Sequence, residues 1–156
     1  MRSAILALAL IVALATASAN VVRLAPDFAI PGVKTKSLKS LRGQPVILLI
    51  ANSPKNGDFK AQAKYLKEIY SEFASKQVVF IAAFTGEAGE IKSDIPFVVA
   101  NNGPAVASAY GMNDKFNIVI IGKDGNVDYQ TKKVLPPERV RDVVQNSFAI
   151  QVNVAR

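Results

Sequence analysis

The sequence predicts an α/β domain with a central mixed sheet flanked by helices, and three observations support this prediction. Two uninterrupted apolar runs, 46–51 and 78–84, are typical of buried strands. Between them, apolar residues recur at intervals of three and four over 59–76, which indicates an amphipathic helix. A third apolar run at 118–121 is followed by Lys123-Asp124-Gly125-Asn126, a sequence typical of a β-hairpin turn.

The N-terminal residues predict an export signal. Arg2 precedes a long apolar run that ends in a small-x-small pattern, so we expect cleavage between Ala19 and Asn20. Residues 1–19 would then be removed, leaving one domain over 20–156 in the periplasm or outside the cell. An uncleaved anchor helix is the alternative, but polar residues interrupt the run, and a membrane span needs about 20 strongly apolar residues. We therefore expect no stable membrane anchor.

The first half of the mature chain predicts a βαβ unit. The run 46–51 lies between Gly43-Gln44-Pro45 and Asn52-Ser53-Pro54, which are typical boundaries of a short buried strand. The helix over 59–76 then leads into the run 78–84. Two strands joined by a crossover helix should be parallel, so both should be buried on both faces.

The second half predicts a helix, a hairpin and a final helix. A short strand at 97–100 precedes Pro104, which suits the first position of a short helix ending at Tyr110-Gly111. The strand 118–121 should return antiparallel as 127–130. Pro136-Pro137-Glu138 should begin the last helix. The alternating tail 149–156 is a candidate for an additional strand at a sheet edge.

Two segments of the chain are informative as written: "PDFAIPGVKTKSLKSLRGQPVILLI" (26–50) and "GPAVASAYGMNDKFNIVIIGKDGNVDY" (103–129). Both resemble segments of the alkyl hydroperoxide reductase/thiol-specific antioxidant family, the peroxiredoxin-like branch of the thioredoxin-like superfamily. The resemblance implies a thioredoxin-like fold over 20–156 with an N-terminal hairpin extension before the first core strand.

The same resemblance locates a redox site whose reactive residues are absent. The family's Cys-x-x-Cys motif falls on 55–58, so Lys55 and Asp58 stand where the two thiols would be, together in the first turn of the helix. The peroxidatic cysteine of peroxiredoxins would lie in the same loop, which here holds Ser53 and Asn56. Phe116 stands in place of the family's cis-proline.

Composition excludes most chemistry at this position. The chain contains no Cys and no His, so it has no thiolate nucleophile and can form neither a Ser-His-Asp nor a Cys-His arrangement. A zinc site would lack its two commonest ligands, and the acidic segment with Glu87, Glu90 and Asp94 does not have the spacing of a calcium loop. We therefore expect no catalytic residue, no metal and no cofactor.

The full chain has a formal net charge of +7, but its basic residues form no long block. A loose cluster at Lys34, Lys36, Lys39 and Arg42 is better explained as a solvated surface than as a dedicated polyanion site, and no groove for nucleic acid is expected.

Three functions remain compatible with the sequence. The first is a redox-inactive module that binds a protein or a small ligand at the 53–58 turn, with Ser53, Lys55, Asn56, Asp58 and Phe116 as candidate residues. The second is an enzyme of the antioxidant or oxidoreductase type with a thiol-independent activity. The third is a basic exported protein that binds an anionic surface or polymer. The first is favoured as the function of the chain. For Lys55 and Asp58 themselves, however, a solvated turn in which Asp58 favours the helix dipole and Asn56 or Ser53 caps the helix is the better explanation.

The absence of thiols gives a direct prediction of inactivity. The purified mature chain should neither reduce insulin disulfides nor consume hydrogen peroxide with a thiol donor, because both reactions need a thiolate. Both rates are measured against a buffer blank. Multiple-turnover peroxidase activity that follows the protein through purification would contradict this expectation.

Overall fold

The structure is a computed structural model that describes residues 23–32, 36–87, 89–112 and 114–154, with side chains described up to 146 in the last helix. The predicted signal segment, its cleavage point and Lys34 lie outside the described residues. Among the helices that are described, none is both long and apolar enough to cross a membrane.

The described chain begins with a small antiparallel hairpin, as the resemblance implied. Strand β1 (Ala29–Ile30) pairs with strand β2 (Lys36–Ser37), and a 3-10 turn over Leu38–Leu41 follows. The buried side chains of Ile30 and Leu38 fix this extension to the main body.

A five-stranded mixed sheet forms the centre of the fold. In chain order its strands are β3 (Val46–Ala51), β4 (Val79–Phe84), β5 (Val98–Val99), β6 (Phe116–Ile121) and β7 (Val127–Thr131). Their spatial order is β5-β4-β3-β6-β7. The first three run parallel to one another, whereas β6 is antiparallel to β3 and to β7. The predicted βαβ unit and the β6–β7 hairpin are therefore confirmed.

Three helices cover the two faces of the sheet. Helices α1 (Gly57–Ser75) and α3 (Pro137–Val154) pack on one face, and α2 (Gly103–Ala109) packs on the other beside the N-terminal hairpin. Strand β3 separates these two core layers because alternate side chains of a strand point to opposite faces. Ile47, Leu49 and Ala51 point toward α1 and α3, while Leu48 and Ile50 point toward α2.

Two side-chain contacts attach the outer elements to this core. The buried Gln62 of α1 donates a hydrogen bond from Nε2 to the carbonyl oxygen of Leu135 and accepts one from its N–H at Oε1, at 3.0 and 2.7 Å. On the other face, the Tyr110 hydroxyl donates to the carbonyl oxygen of Pro26 at 2.9 Å. Burial raises the pKa of Tyr110 above its ordinary value, so the hydroxyl keeps its proton and remains a donor.

Three element boundaries differ from the sequence-based expectation. Helix α1 begins at Gly57, two residues earlier than predicted, because Asn56 caps it. Strand β6 begins at Phe116, which pairs opposite Ala51 and is therefore part of the ladder. The tail is not an edge strand, since α3 continues to Val154; periodicity over a few residues did not distinguish the two.

Gly103 allows α2 to begin directly against the end of β4. A Cβ atom at this position would lie 1.8 Å from the carbonyl oxygen of Phe84. We predict that Gly103→Ala lowers the free energy of unfolding by at least about 3 kcal/mol, because backbone atoms must move to relieve the clash. Urea denaturation measures the change.

Gly57→Ala is the matched control. A Cβ atom there meets nothing within 4 Å, and the residue opens α1. Because alanine is the better helix former, this variant should be unchanged or more stable by up to about 1 kcal/mol. Equal losses in the two variants would show that the close approach at Gly103 is not the cause.

Candidate functional site

The segment 52–58 is a compact hydrogen-bonded turn at the carboxyl end of β3. The Ser53 hydroxyl oxygen accepts the N–H of Lys55 at 3.2 Å, and the Ser53 carbonyl oxygen accepts the N–H of Asn56 at 3.1 Å. Asn56 then caps α1, because its Oδ1 accepts the N–H of Phe59 at 3.0 Å. The expectation that Asn56 or Ser53 caps the helix is confirmed for Asn56, while Ser53 stabilises the preceding turn.

Asn56 also connects this turn to the chain that enters β6. Its Nδ2 donates to Oδ1 of Asn52 at 2.8 Å and to the carbonyl oxygen of Lys115 at 3.4 Å. The N–H of Asn52 donates to the same Lys115 carbonyl at 3.3 Å. The side-chain amide of Asn56 therefore holds three segments together: the end of β3, the start of α1 and the start of β6.

A glycine just beyond the end of strand β4 completes the arrangement. The N–H of Gly86 donates to the carbonyl oxygen of Asn52 at 2.8 Å, which continues the β3–β4 pairing beyond the strands. A Cβ atom at Gly86 would lie 2.7 Å from that oxygen, so only glycine fits without a shift. The position of Asn52 is thus fixed from both sides.

Lys55 and Asp58 do not meet in this structure. Lys55 precedes the cap residue and is exposed, whereas Asp58 is exposed within the first turn of α1. They line two different depressions next to the turn. The expectation that both lie together in the first helical turn is wrong, because the cap at Asn56 leaves Lys55 outside the helix.

Phe116 lies below the site. Its side chain is 2 % exposed and belongs to the core cluster that also contains Phe59 and Phe84. No cis peptide bond occurs in the part of the chain that the structure describes, and Phe116 is an ordinary residue of strand β6. It supports the floor of the site, and its ring is not available as a contact surface.

One of the two depressions is an open groove of about 580 Å³ between α1 and the segment 90–94, which we call the lysine groove. Its apolar floor contains Phe59, Ala63 and Ile91. Its charged side chains are five lysines and two carboxylates: Lys55, Lys60, Lys64, Lys67, Lys92, Glu90 and Asp94.

An ion pair between Lys67 and Asp94 connects the segment 90–94 to α1. The hydrogen bond and charge of the Lys67 ammonium group hold the pKa of Asp94 below its ordinary value. Asp94 therefore stays ionised, and the pair persists, until the pH falls through that lowered pKa. This acidic segment is thus attached to the helix at Asp94.

The second depression, which we call the polar cleft, lies on the Asp58 side of the turn and has a volume of about 660 Å³. Asp114 and Lys132 form an ion pair of 3.6 Å at its rim. The remaining lining residues are Asn52, Asp58, Thr85, Lys115 and Phe116. In the described part of the chain, no three acidic side chains converge to hold a metal ion.

The apolar spacing of 59–76 places Lys60, Lys64 and Lys67 on the polar face of an amphipathic helix. It does not indicate that a groove lies beside them. Nothing in the pattern of 90–94 indicated that this irregular segment returns along that face, because tertiary position is not encoded in periodicity. Asn52 was also missed, since its role depends on the distant carbonyl of Lys115.

Comparisons with known proteins give a family and a fold. The family model described as "Domain of unknown function (DUF4174)" matches residues 37–147, which is more than half of the chain. No functionally curated protein matches the sequence.

Solved structures of proteins named as a thiol:disulfide interchange protein, a peroxidoxin and a thioredoxin share the architecture. A putative thiol:disulfide interchange protein DsbE from Chlorobium tepidum superposes with a TM-score of 0.65 at 18% identity, covering 81% of this chain and 96% of its own. Peroxidoxin BcpB from Mycobacterium tuberculosis gives 0.59 at 14%, covering 83% and 96%. The exposed lipoprotein thioredoxin Etrx1 from Streptococcus pneumoniae strain TIGR4 gives 0.60 at 18%, covering 78% and 99%. The fold is therefore thioredoxin-like, as the sequence predicted, in a chain without cysteine.

The hydrogen bonds of Asn56 predict how far the turn contributes to stability. Asn56→Ala removes both the helix cap and the connection to Asn52 and Lys115, so we expect a loss of about 2 kcal/mol in the free energy of unfolding. Asn56→Ser keeps a side chain that caps the helix, but the shorter serine cannot donate to Asn52 and Lys115. Its loss in the free energy of unfolding should therefore be about half that of Asn56→Ala. Urea denaturation of both variants checks this; equal stability of Ala and Ser at position 56 would mean that the cap contributes nothing.

Proposed function

The chain belongs to the DUF4174 family, and on that premise we propose that it is an exported, non-catalytic binding module that recognises a partner protein at the 52–58 turn. The thioredoxin-like fold positions this turn at the carboxyl end of β3. The lysine groove and the polar cleft open next to it. A partner seated over the turn would contact both depressions at once.

One observation supports this proposal: the side chains of Ser53 and Asn56 form hydrogen bonds within the turn and to its neighbours, and these bonds fix its shape. Ser53 bonds the backbone of Lys55, and Asn56 bonds Asn52, Phe59 and Lys115. Such a turn has a fixed shape and no activated nucleophile, which suits recognition better than catalysis. The exposed charges of Lys55 and Asp58 supply polarity for contact beside it.

The finer placement near the alkyl hydroperoxide reductase/thiol-specific antioxidant family is also a proposal. It is supported by the two matching sequence segments and by the likeness in fold to a peroxidoxin. Export is supported by the predicted signal and by the exposed location that the name of the pneumococcal lipoprotein states for that protein.

Site-specific photo-crosslinking tests the binding function. A benzoylphenylalanine replaces Lys55 in the chain expressed with its own N-terminal segment, and irradiation is applied to intact cells. The matched control carries the same group in place of Lys39, which is also exposed but precedes β3 and so lies near the other end of the sheet.

We expect a discrete protein adduct from position 55 and none of the same mass from position 39. The adduct should disappear when unlabelled wild-type protein is co-expressed in excess, because both compete for one partner. Identical adduct patterns from the two positions, or no adduct from position 55, would contradict a binding face at the turn.

A further inference from the structure

The lysine groove has the charge pattern of a site for an extended anionic ligand. Lys60, Lys64 and Lys67 follow one another at intervals of four and three residues, so they form a single stripe along α1. Lys55 continues the stripe before the helix, and Lys92 faces it from the segment 90–94. The positive charge is therefore arranged as a line that runs the length of the groove.

Most of this charge is not neutralised within the molecule. Among the described residues, Lys67 alone of the five has a carboxylate within 4.0 Å, which is that of Asp94. The other four, Lys55, Lys60, Lys64 and Lys92, form no ion pair within that distance in the part of the chain that is described. Lysines so placed repel one another, and an anion between them removes that repulsion.

The floor of the groove narrows the chemistry of the ligand. Pro54, Phe59, Ala63 and Ile91 are the apolar residues that line the groove, and of these Ile91 is the one that is partly exposed. Ile91 is half-buried, so a ligand that covers it removes apolar area from water. A uniformly hydrophilic polyanion would satisfy the lysines but would leave this floor without a partner.

The spacing of the lysines fits a peptide in an extended conformation. Four residues of α-helix rise about 6 Å, the separation along the axis between Lys60 and Lys64. Alternate side chains of an extended peptide project from the same side about 6.6 Å apart. Acidic side chains at alternate positions can therefore meet Lys60 and Lys64, while the intervening apolar side chain projects to the opposite side of the peptide, toward the segment 90–94 that carries Ile91.

We propose that the lysine groove binds an extended acidic segment of a partner protein in which Asp or Glu alternates with apolar residues. This inference rests on the proposed binding function and specifies the chemistry that it recognises. Recognition combines several ion pairs with burial of an apolar side chain against Ile91. The groove thus accounts for both the partner's charge and its conformation.

Fluorescence anisotropy with three labelled peptides tests the proposal. The first alternates Glu with Val or Leu over nine residues, the second replaces each apolar residue with Ser, and the third replaces each Glu with Lys. We expect saturable binding of the first, at least tenfold weaker binding of the second, and none of the third. Affinity for the first should fall as salt is added, because exposed charges are screened.

Matched charge variants locate the binding surface. Lys60→Glu/Lys64→Glu reverses two charges in the groove, and Lys39→Glu/Arg42→Glu reverses two exposed charges before β3. The groove variant should lose at least tenfold in affinity for the first peptide, and the control should stay within about threefold. Ile91→Ser should weaken the first peptide more than the second, with the melting temperature confirming that each variant is folded.

The outcomes separate this inference from the function on which it rests. Equal losses in the two charge variants, or equal binding of the first and second peptides, would overturn the groove as an acidic-peptide site. Tighter binding of a polyphosphate or of anionic phospholipid vesicles than of the first peptide would overturn the choice of ligand. If the peptides fail while crosslinking from position 55 still captures a discrete partner, the binding function stands and only the ligand chemistry is wrong.

Discussion

Strand β3 is buried on both faces along its whole length, and this constraint keeps polar side chains out of the strand. Each of its six side chains is at most 1 % exposed. Burying one Ile or Leu side chain contributes about 1.5–3 kcal/mol, so the strand provides stability and cannot carry polar chemistry. The first polar side chains after β3 therefore lie in the 52–58 turn, where the chain leaves the strand.

Hydrogen bonding makes that exit rigid without any crosslink. In a redox protein of this fold the turn would carry thiols, whereas here two asparagines occupy it. The side chains of Asn52 and Asn56 share a hydrogen bond, and both residues donate to the carbonyl oxygen of Lys115. The N–H of Gly86, just beyond strand β4, donates to the carbonyl oxygen of Asn52. The shape of the turn is therefore stabilised by hydrogen bonds of side-chain and backbone amides, which do not change with the redox state of the surrounding compartment.

The regular elements of the fold were predictable from the sequence because their buried residues follow simple patterns. The uninterrupted runs of β3 and β4 indicate burial on both faces, and the three- and four-residue spacing in α1 indicates its one buried face. The turn that contains Gly125 indicates the hairpin. The candidate site was predictable in place but not in arrangement. The pattern left open whether Ser53 or Asn56 caps α1, and the cap at Asn56 separates Lys55 from Asp58. It also could not show that Phe116 pairs with Ala51 inside the ladder.

Recognition of a partner by the 52–58 turn requires that the turn has its shape before the partner binds. Amide hydrogen exchange of the free protein, measured by NMR, tests this requirement directly. The N–H groups of Asn52 and Phe59 both donate hydrogen bonds, to the Lys115 carbonyl and to Oδ1 of Asn56 respectively. In a preformed turn both amides exchange slowly in the free protein, because exchange requires these bonds to open. If both amides exchange at the rate of an unfolded chain while the amides of β3 remain protected, the turn is not preformed and this claim is wrong.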